Sequence, residues 1–483
     1  MRLRPAMCVL ACCSLVALFA SSAAAAIRMP AIFTDNMLLQ RDQPVPVWGW
    51  AARGEKVTVS VAGQTVTTKA GDDGRWRLTL GKLDLQRLEV QDKIAEGKTQ
   101  TTFITIPLTM TVQGSGGNLL TFKNVVVGDV WVCSGQSNME LGLNQVNRAK
   151  EEIAAANYAD IRLFDVVKQK APQPVADLTA TWTTCRPETA ANFSAVAYFF
   201  GRQLHKNLDV PVGLIGTYWG GTPAEFWTSA PTLAADPALK PLAQGEAACL
   251  YNAMIAPLVP YAIRGAIWYQ GESNISRSYQ YRTLLPAMIA NWRSAWGQGN
   301  FPFGIVQIAP FRYGGSNPVF CAEMWEAQSM IAQTTPNTGL AVTMDIGDLR
   351  NIHPTNKQDV GRRLALWAEA TVYGRKQVYS GPIYKSMVVE GEKIRLNFDH
   401  VGGGLIAADG KPLTEFTIAG ADQKFVPATA TIDDHTLVVH ADQVTKPVAV
   451  RYAWHDDAQP NFANKEGLPA SPFRTDAWKG VTQ

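Results

Sequence analysis

The chain has 483 residues, 47% of them hydrophobic and 18% charged, with 39 Gly and 28 Pro. That balance excludes a disordered, collagen-like or coiled-coil chain and predicts two or three domains. Formal net charge is +3, or +1 (42 basic against 41 acidic residues) once Arg2 and Arg4 are set aside with the leader described next. A charge so nearly balanced carries no footprint for nucleic acid and no polybasic surface for anionic lipid, which points to a neutral or small ligand.

Residues 1–26 read as a signal peptide: Arg2 and Arg4 form a basic start, Ala6 to Ala20 is apolar, and Ser22 to Ala26 ends in an A-x-A pattern before Ile27. The apolar run is shorter than the ~20 residues that span a bilayer, and no later run is long enough. The expectation is export to the periplasm or the exterior, with no membrane span. Of seven Cys, three (Cys8, Cys12, Cys13) belong to the leader. Cys133, Cys185, Cys249 and Cys321 remain, without CxxC or a His/Cys spacing suited to zinc. One or two disulfides are permitted in an oxidising compartment, although Cys133, inside an apolar strand pattern, reads as a buried free thiol.

Residues 27–124 are predicted to be all-β. Val57–Val61, Thr65–Lys69 and Trp76–Leu80 alternate with period two, separated by Gly63-Gln64 and Asp72-Asp73-Gly74. From Val125 to residue 375 buried strands alternate with helices. The apolar runs are Val125–Cys133, Val212–Gly216, Gly265–Tyr269, Phe303–Ile308 and Leu340–Met344, with helical stretches such as Ser194–Leu208, Tyr279–Ala295 and Lys357–Thr371. This is the signature of a doubly wound parallel sheet, whose sites lie at the carboxyl ends of the strands. Residues 376–483 return to short strands, Ile394–Phe398, Thr436–His440 and Val448–Tyr452 among them.

Four strand-end loops carry the polar chemistry. In Gly128–Glu140 a strand ends at Cys133 and a tight turn sets Ser137 where a helix begins. Backbone N–H groups at such a turn suit a developing oxyanion, and a Ser hydroxyl needs a base within reach to act as nucleophile. On these grounds Ser137 serves equally well as nucleophile or as helix cap. The loop Met344–Lys357 supplies a base, His353, held extended by Pro354. His205, the other histidine of residues 125–375, sits in a helix pattern and reads as a surface residue. Gly216–Thr222 offers close backbone approach at Gly220 and Gly221, and Trp268–Asn274 offers Gln270 and Asn274 as side-chain donors. Glu272 is a second base candidate with nothing to place it against the nucleophile. Tyr218, Trp219, Trp268 and Tyr269 read either as sugar-stacking rings or as core aromatics.

The strings GDVWVCSGQSNME, VGLIGTYWGGTPAEFW, AIWYQGESN and IHPTNKQDVGRRLA, with GLPASPFRTDAW near the C-terminus, resemble the sialate O-acetylesterase family of the SGNH (GDSL-type) hydrolases. The resemblance covers essentially the whole chain after the leader. It implies an α/β class, with a flavodoxin-like α/β/α hydrolase domain flanked by N- and C-terminal β-sandwich-like segments. It also implies removal of acetyl esters from an acetylated carbohydrate, without metal or cofactor. By matching positions Ser137 is the nucleophile and His353 the general base. Gly221 and Gln270, with Asn274 as the alternative to Gln270, join the Ser137 N–H in the oxyanion hole. The family's Asp three residues before the His is absent, because Arg350 and Asn351 stand there. Asp348 and Asp345 are the substitute acids, in that order, and a Ser–His dyad oriented by a backbone carbonyl or Asn351 is the remaining option. The expected activity is therefore a serine esterase of sialate 9-O-acetylesterase type. A xylan or xyloglucan acetylesterase, or a non-catalytic glycan-binding relative with a degraded triad, are the alternatives.

Overall fold

A computed structural model describes residues 26–95, 98–314 and 316–483, so the predicted signal peptide, apart from Ala26, lies outside the described residues. The central sheet is built from β1 (Leu119–Gly135), β2 (Tyr158–Asp165), β3 (Trp182–Cys185), β4 (Val212–Tyr218), β5 (Gly265–Tyr269), β6 (Phe303–Val306) and β7 (Thr338–Ala341). They lie in the order β3-β2-β4-β1-β5-β6-β7. All neighbours pair in parallel except β3, which closes one edge antiparallel to β2. The chain leaves β1 toward β2 and β4, then crosses to β5 on the other side. The carboxyl end of β1 is thus the switch point at which such sheets open a crevice.

The helices that bear on the site are α1 (Ser137–Glu140), α2 (Ala195–Leu208), α3 (Ser278–Trp296), α4 (Val319–Thr334) and α5 (Lys357–Thr371). α2 packs on α5 and α3 on α4. Neighbouring residues of β6 show that the two pairs cover opposite faces, because successive side chains of a strand point to opposite sides. Phe303 meets Trp292 of α3 with ring centroids 5.9 Å apart. At Gly304 an added Cβ would lie 2.7 Å from Trp367 of α5. Gly304 stands opposite Gly339 of β7 in the ladder, where a Cβ would come within 2.0 Å of the same indole. The glycine pair is the bed in which Trp367 lies. This is the three-layer arrangement expected of the α/β segment.

The N-terminal region is β throughout, and it is continuous with the sheet. Up to Asn124 β1 is half exposed with period two, pairing antiparallel with Leu108–Gly114; from Val125 every residue is buried. Asn124 has φ +55°. The domain boundary expected after residue 124 therefore falls inside one strand, at the point where its pattern changes from alternating to wholly apolar. Leu38–Gln40 also joins β1, in parallel. The C-terminal region forms two four-stranded sheets and a two-stranded one, with every strand pair antiparallel. It returns to the hydrolase layer where Glu323 of α4 accepts from the backbone N–H groups of Val481 and Thr482. Cys133, Cys185, Cys249 and Cys321 are all buried free thiols. Among the described residues no helix is long and apolar enough to cross a membrane.

Candidate active site

Gly135 ends β1 at φ +142°, and a Cβ there would sit 2.1 Å from the Tyr269 carbonyl. Only glycine lets β1 and β5 close at this point. The Gln136 N–H then donates to that carbonyl at 3.0 Å, and Ser137 opens α1. Ser137 and His353 line one cleft of 670 Å³, together with Glu140, Asp165, Lys168, Tyr218, Trp219 and Gly220. Among the described residues no hydrogen bond joins their side chains. Burial pulls the half-buried His353 below the ordinary imidazole range; the positive field of Lys357 adds to this and Glu140 opposes it. Its neutral form, the one that accepts a proton, is thereby favoured.

No carboxylate sits on the His353 ring among the described residues. Asp348 caps its own turn, with Oδ1 accepting from the Arg350 N–H at 2.9 Å. Asp345, which lies four residues beyond β7, grips the buried Arg363 of α5 with both oxygens, at 2.7 and 2.6 Å. Neither expected acid reaches the imidazole, because each carboxylate is engaged elsewhere. Asn351 does not orient the ring either; its Oδ1 accepts from the backbone N–H of His353 at 2.9 Å. The loop is thus a pair of successive Asx turns that fix the backbone of His353.

The two side-chain donors expected in the oxyanion hole are engaged as well. Gln270 is fully buried, with Nε2 donating to Asn274 Oδ1 at 2.7 Å and Oε1 accepting from the Tyr281 hydroxyl at 2.9 Å. Asn274 donates to Glu225 at 3.0 Å and accepts from the Ala224 N–H at 3.0 Å. Both brace the loops after β4 and β5 and neither lines the cleft. The glycine that packs against Ser137 is Gly220: a Cβ there would stand 3.1 Å from Ser137 Cβ. Its N–H donates to Glu140 Oε2 at 2.6 Å. Gly221 follows at φ +73°, with open space where a Cβ would be. Among the described residues the backbone N–H groups of Ser137 and Gly221 have no partner.

The sialic acid-specific acetylesterase family of carbohydrate esterases matches residues 127–368, from the middle of β1 to the last turns of α5. The sialate O-acetylesterase of Rattus norvegicus is 31% identical over 88% of this chain and 89% of its own length. The human sialate O-acetylesterase is 30% identical over 94% of this chain and 93% of its own. A solved carbohydrate acetylesterase from Xanthomonas citri superposes with TM-score 0.84 at 40% identity, covering 94% of this chain and all of that one. The chain belongs to this carbohydrate esterase family. It is a carboxylic ester hydrolase, and all four polar loops fall within the matched segment.

Several of the esterase's site residues carry no signal in the sequence beyond lying in those loops. Glu140 stands three residues after Ser137 in α1, pairs with Lys168, and pins the loop after β4 through Gly220. Asn138 is buried and joins Glu272, Ile352 and Lys357. Of the four aromatics near the loops, Trp268 and Tyr269 are core residues, while Tyr218 and Trp219 line the cleft.

Proposed function

We propose that this protein is an exported carbohydrate O-acetylesterase working through an acyl-enzyme on Ser137. The observation that carries the reading is that Ser137 and His353 line the same cleft, at the carboxyl ends of strands of one parallel sheet. His353 Nε2 or Nδ1 takes the hydroxyl proton as Ser137 Oγ attacks the acetyl carbonyl. The oxyanion is received by the free N–H groups of Ser137 and Gly221. The imidazolium returns its proton to the departing sugar hydroxyl, and water then releases acetate by the same route. The site is a dyad, with Asp348 and Asp345 left outside the proton transfer. The leader pattern of residues 1–26 supports export.

A sialate 9-O-acetyl ester is the first substrate reading, on the strength of the relatives. A second, a neutral acetylated polysaccharide of xylan or xyloglucan type, is favoured by the charge of the cleft. Its one lysine, Lys168, is already paired with Glu140, and Asp165 adds a carboxylate that accepts from the Tyr218 hydroxyl. Among the described residues that line the cleft, a sialate carboxylate would find no free cation to meet it. Acetate release from 9-O-acetylated sialoside, acetylated xylan and acetylated xyloglucan tests both readings. Ser137→Ala should lower turnover on the best substrate by at least about 10³-fold. A chelator should leave it unchanged and a serine-directed reagent should abolish it. Full activity in Ser137→Ala would overturn the acyl-serine.

A further inference from the structure

Asn138, next in the chain to Ser137, is 1% exposed, and every polar atom of its amide is engaged. Nδ2 donates to Glu272 Oε1 at 2.6 Å and to the Ile352 carbonyl at 2.9 Å, and Oδ1 accepts from Lys357 Nζ at 2.5 Å. One amide thus ties together the loop after β5, the loop that carries His353, and the first residue of α5. Its chain neighbours are telling: Asn138 follows the nucleophile and Ile352 precedes the histidine. The Lys357 ammonium is fully buried and lies 5.1 Å from the centroid of the Tyr269 ring. Among the described residues it makes no salt bridge; the charge that faces it is Glu272, reached through the Asn138 amide. The second oxygen of Glu272 is buried without a partner. A buried ammonium and a buried carboxyl separated by an amide are costly to keep, and packing alone would be met by apolar side chains of similar size.

We propose that Asn138 and Lys357 are positioning residues of this esterase. The Asn138 amide holds Ile352, and with it His353, in register with Ser137. The Lys357 ammonium biases the imidazole to its uncharged, proton-accepting form in a site where no carboxylate backs the ring. The inference rests on the Ser137–His353 reading given above.

The charged groups whose fields reach His353 are Lys357, which opposes its protonation, and Glu140, which favours it. Those around Lys357 are Glu272 and His353. Burial pulls the Lys357 ammonium down to about 7, against the attraction of Glu272. It is therefore charged through the acidic range, where His353 would otherwise take up a proton and stop accepting one. The same field opposes the imidazolium formed in the transition state. The arrangement extends activity toward low pH at some cost in maximal turnover, the reverse of what a triad carboxylate does.

The test is the pH profile of kcat/KM on 4-nitrophenyl acetate for the parent, Lys357→Met and Asn138→Asp, with thermal unfolding recorded for each. In Lys357→Met the acid limb should move to higher pH while the plateau stays within about tenfold of the parent. A purely structural lysine would lower the plateau and leave the limb in place, and a limb coinciding with the parent's would overturn the proposal. Asn138→Asp provides the second variant should the first not fold. Its carboxylate neutralises the Lys357 field and loses both donors, so the limb should rise and kcat should fall about tenfold or more. An unchanged kcat and limb would sink the idea. Labelling of the parent with a serine-directed reagent, followed by peptide mass analysis, separates the two levels of inference. If Ser137 is not labelled, the nucleophile assignment fails. If Ser137 is labelled and the limb does not move, only the role of Lys357 and Asn138 fails.

Discussion

Two histidines of this chain have opposite surroundings. His455, in the C-terminal β region, is held on both ring nitrogens by carboxylates, Glu415 at Nε2 and Asp457 at Nδ1, each at 2.7 Å. Those hydrogen bonds, Glu415 foremost, raise it to about 9. His353, in the cleft beside Ser137, has no carboxylate on its ring and is shifted downward by burial and by Lys357. A search for His–carboxylate geometry alone would choose His455. Its place in the fold argues against that choice. Residues 455–457 clasp the loop after β6: Arg312 pairs with Asp457 at 2.9 Å, and the Phe311 N–H donates to the Asp456 carbonyl at 2.9 Å. A histidine charged at neutral pH suits such a clasp, and one kept neutral suits a base. The difference teaches that the sign of a histidine's perturbation, read with its address in the sheet, is more informative than the presence of an acid.

The largest effect that sharpens this contrast is on turnover. His353→Ala should cost at least about 10³-fold in kcat/KM, close to the loss in Ser137→Ala, because the two act as a unit. His455→Gln should leave kcat/KM within about twofold of the parent. A reversal of the two would transfer the catalytic assignment to the C-terminal region.

Next come the two aspartates that sequence reasoning offered as acids. Asp345→Asn and Asp348→Asn should both keep turnover near that of the parent. They should part in stability. Asp345→Asn leaves the Arg363 guanidinium, 4% exposed, without its charged partner, and should lower unfolding free energy by about 2 kcal/mol. Asp348→Asn retains an oxygen for the Arg350 N–H and should be near neutral. Urea unfolding and acetate release on the same preparations measure both. Loss of turnover in a folded Asp348→Asn would restore it as the third triad member.

The sequence made the framework legible and left its polar wiring hidden. The β5 run and α5 were read to the residue, and β4 and α3 to within two residues at each end, because a buried strand and an amphipathic helix declare themselves by local period. Tyr158–Asp165 escaped because its run is mixed, with Arg162 buried among apolar neighbours beside the edge strand β3. The strand-end rule brought Ser137 and His353 together without any knowledge of contacts. The side chains of Gln270 and Asn274, expected as oxyanion donors, are engaged elsewhere for the opposite reason. Gln270 and Asn274 are polar residues in the right loop, but which partner a buried amide takes depends on Tyr281, Glu225 and Ala224, which other segments bring up. The same is true of Asn138 and Lys357, 219 positions apart in the chain.

The smallest expected effect is on the pH dependence of stability, and it follows from the clasp around His455. Its folded-state value of about 9 lies above the ordinary 6.5, so protonation is favoured by folding. The contribution is fully present below about 6.5 and is lost as pH rises through about 9. The side chain is 42% exposed, and solvent screening holds the gain to about 0.5–1 kcal/mol. Urea midpoints for the parent should therefore fall between pH 7 and pH 9, whereas those of His455→Gln should start lower and fall less. The hydrolase cleft gives an internal control, because His353 is shifted downward and is neutral across that window in both proteins. Equal pH dependence in parent and variant would mean that the charge on His455 does not hold the clasp, and that the C-terminal region is secured instead by pairs such as Arg474 with Glu326.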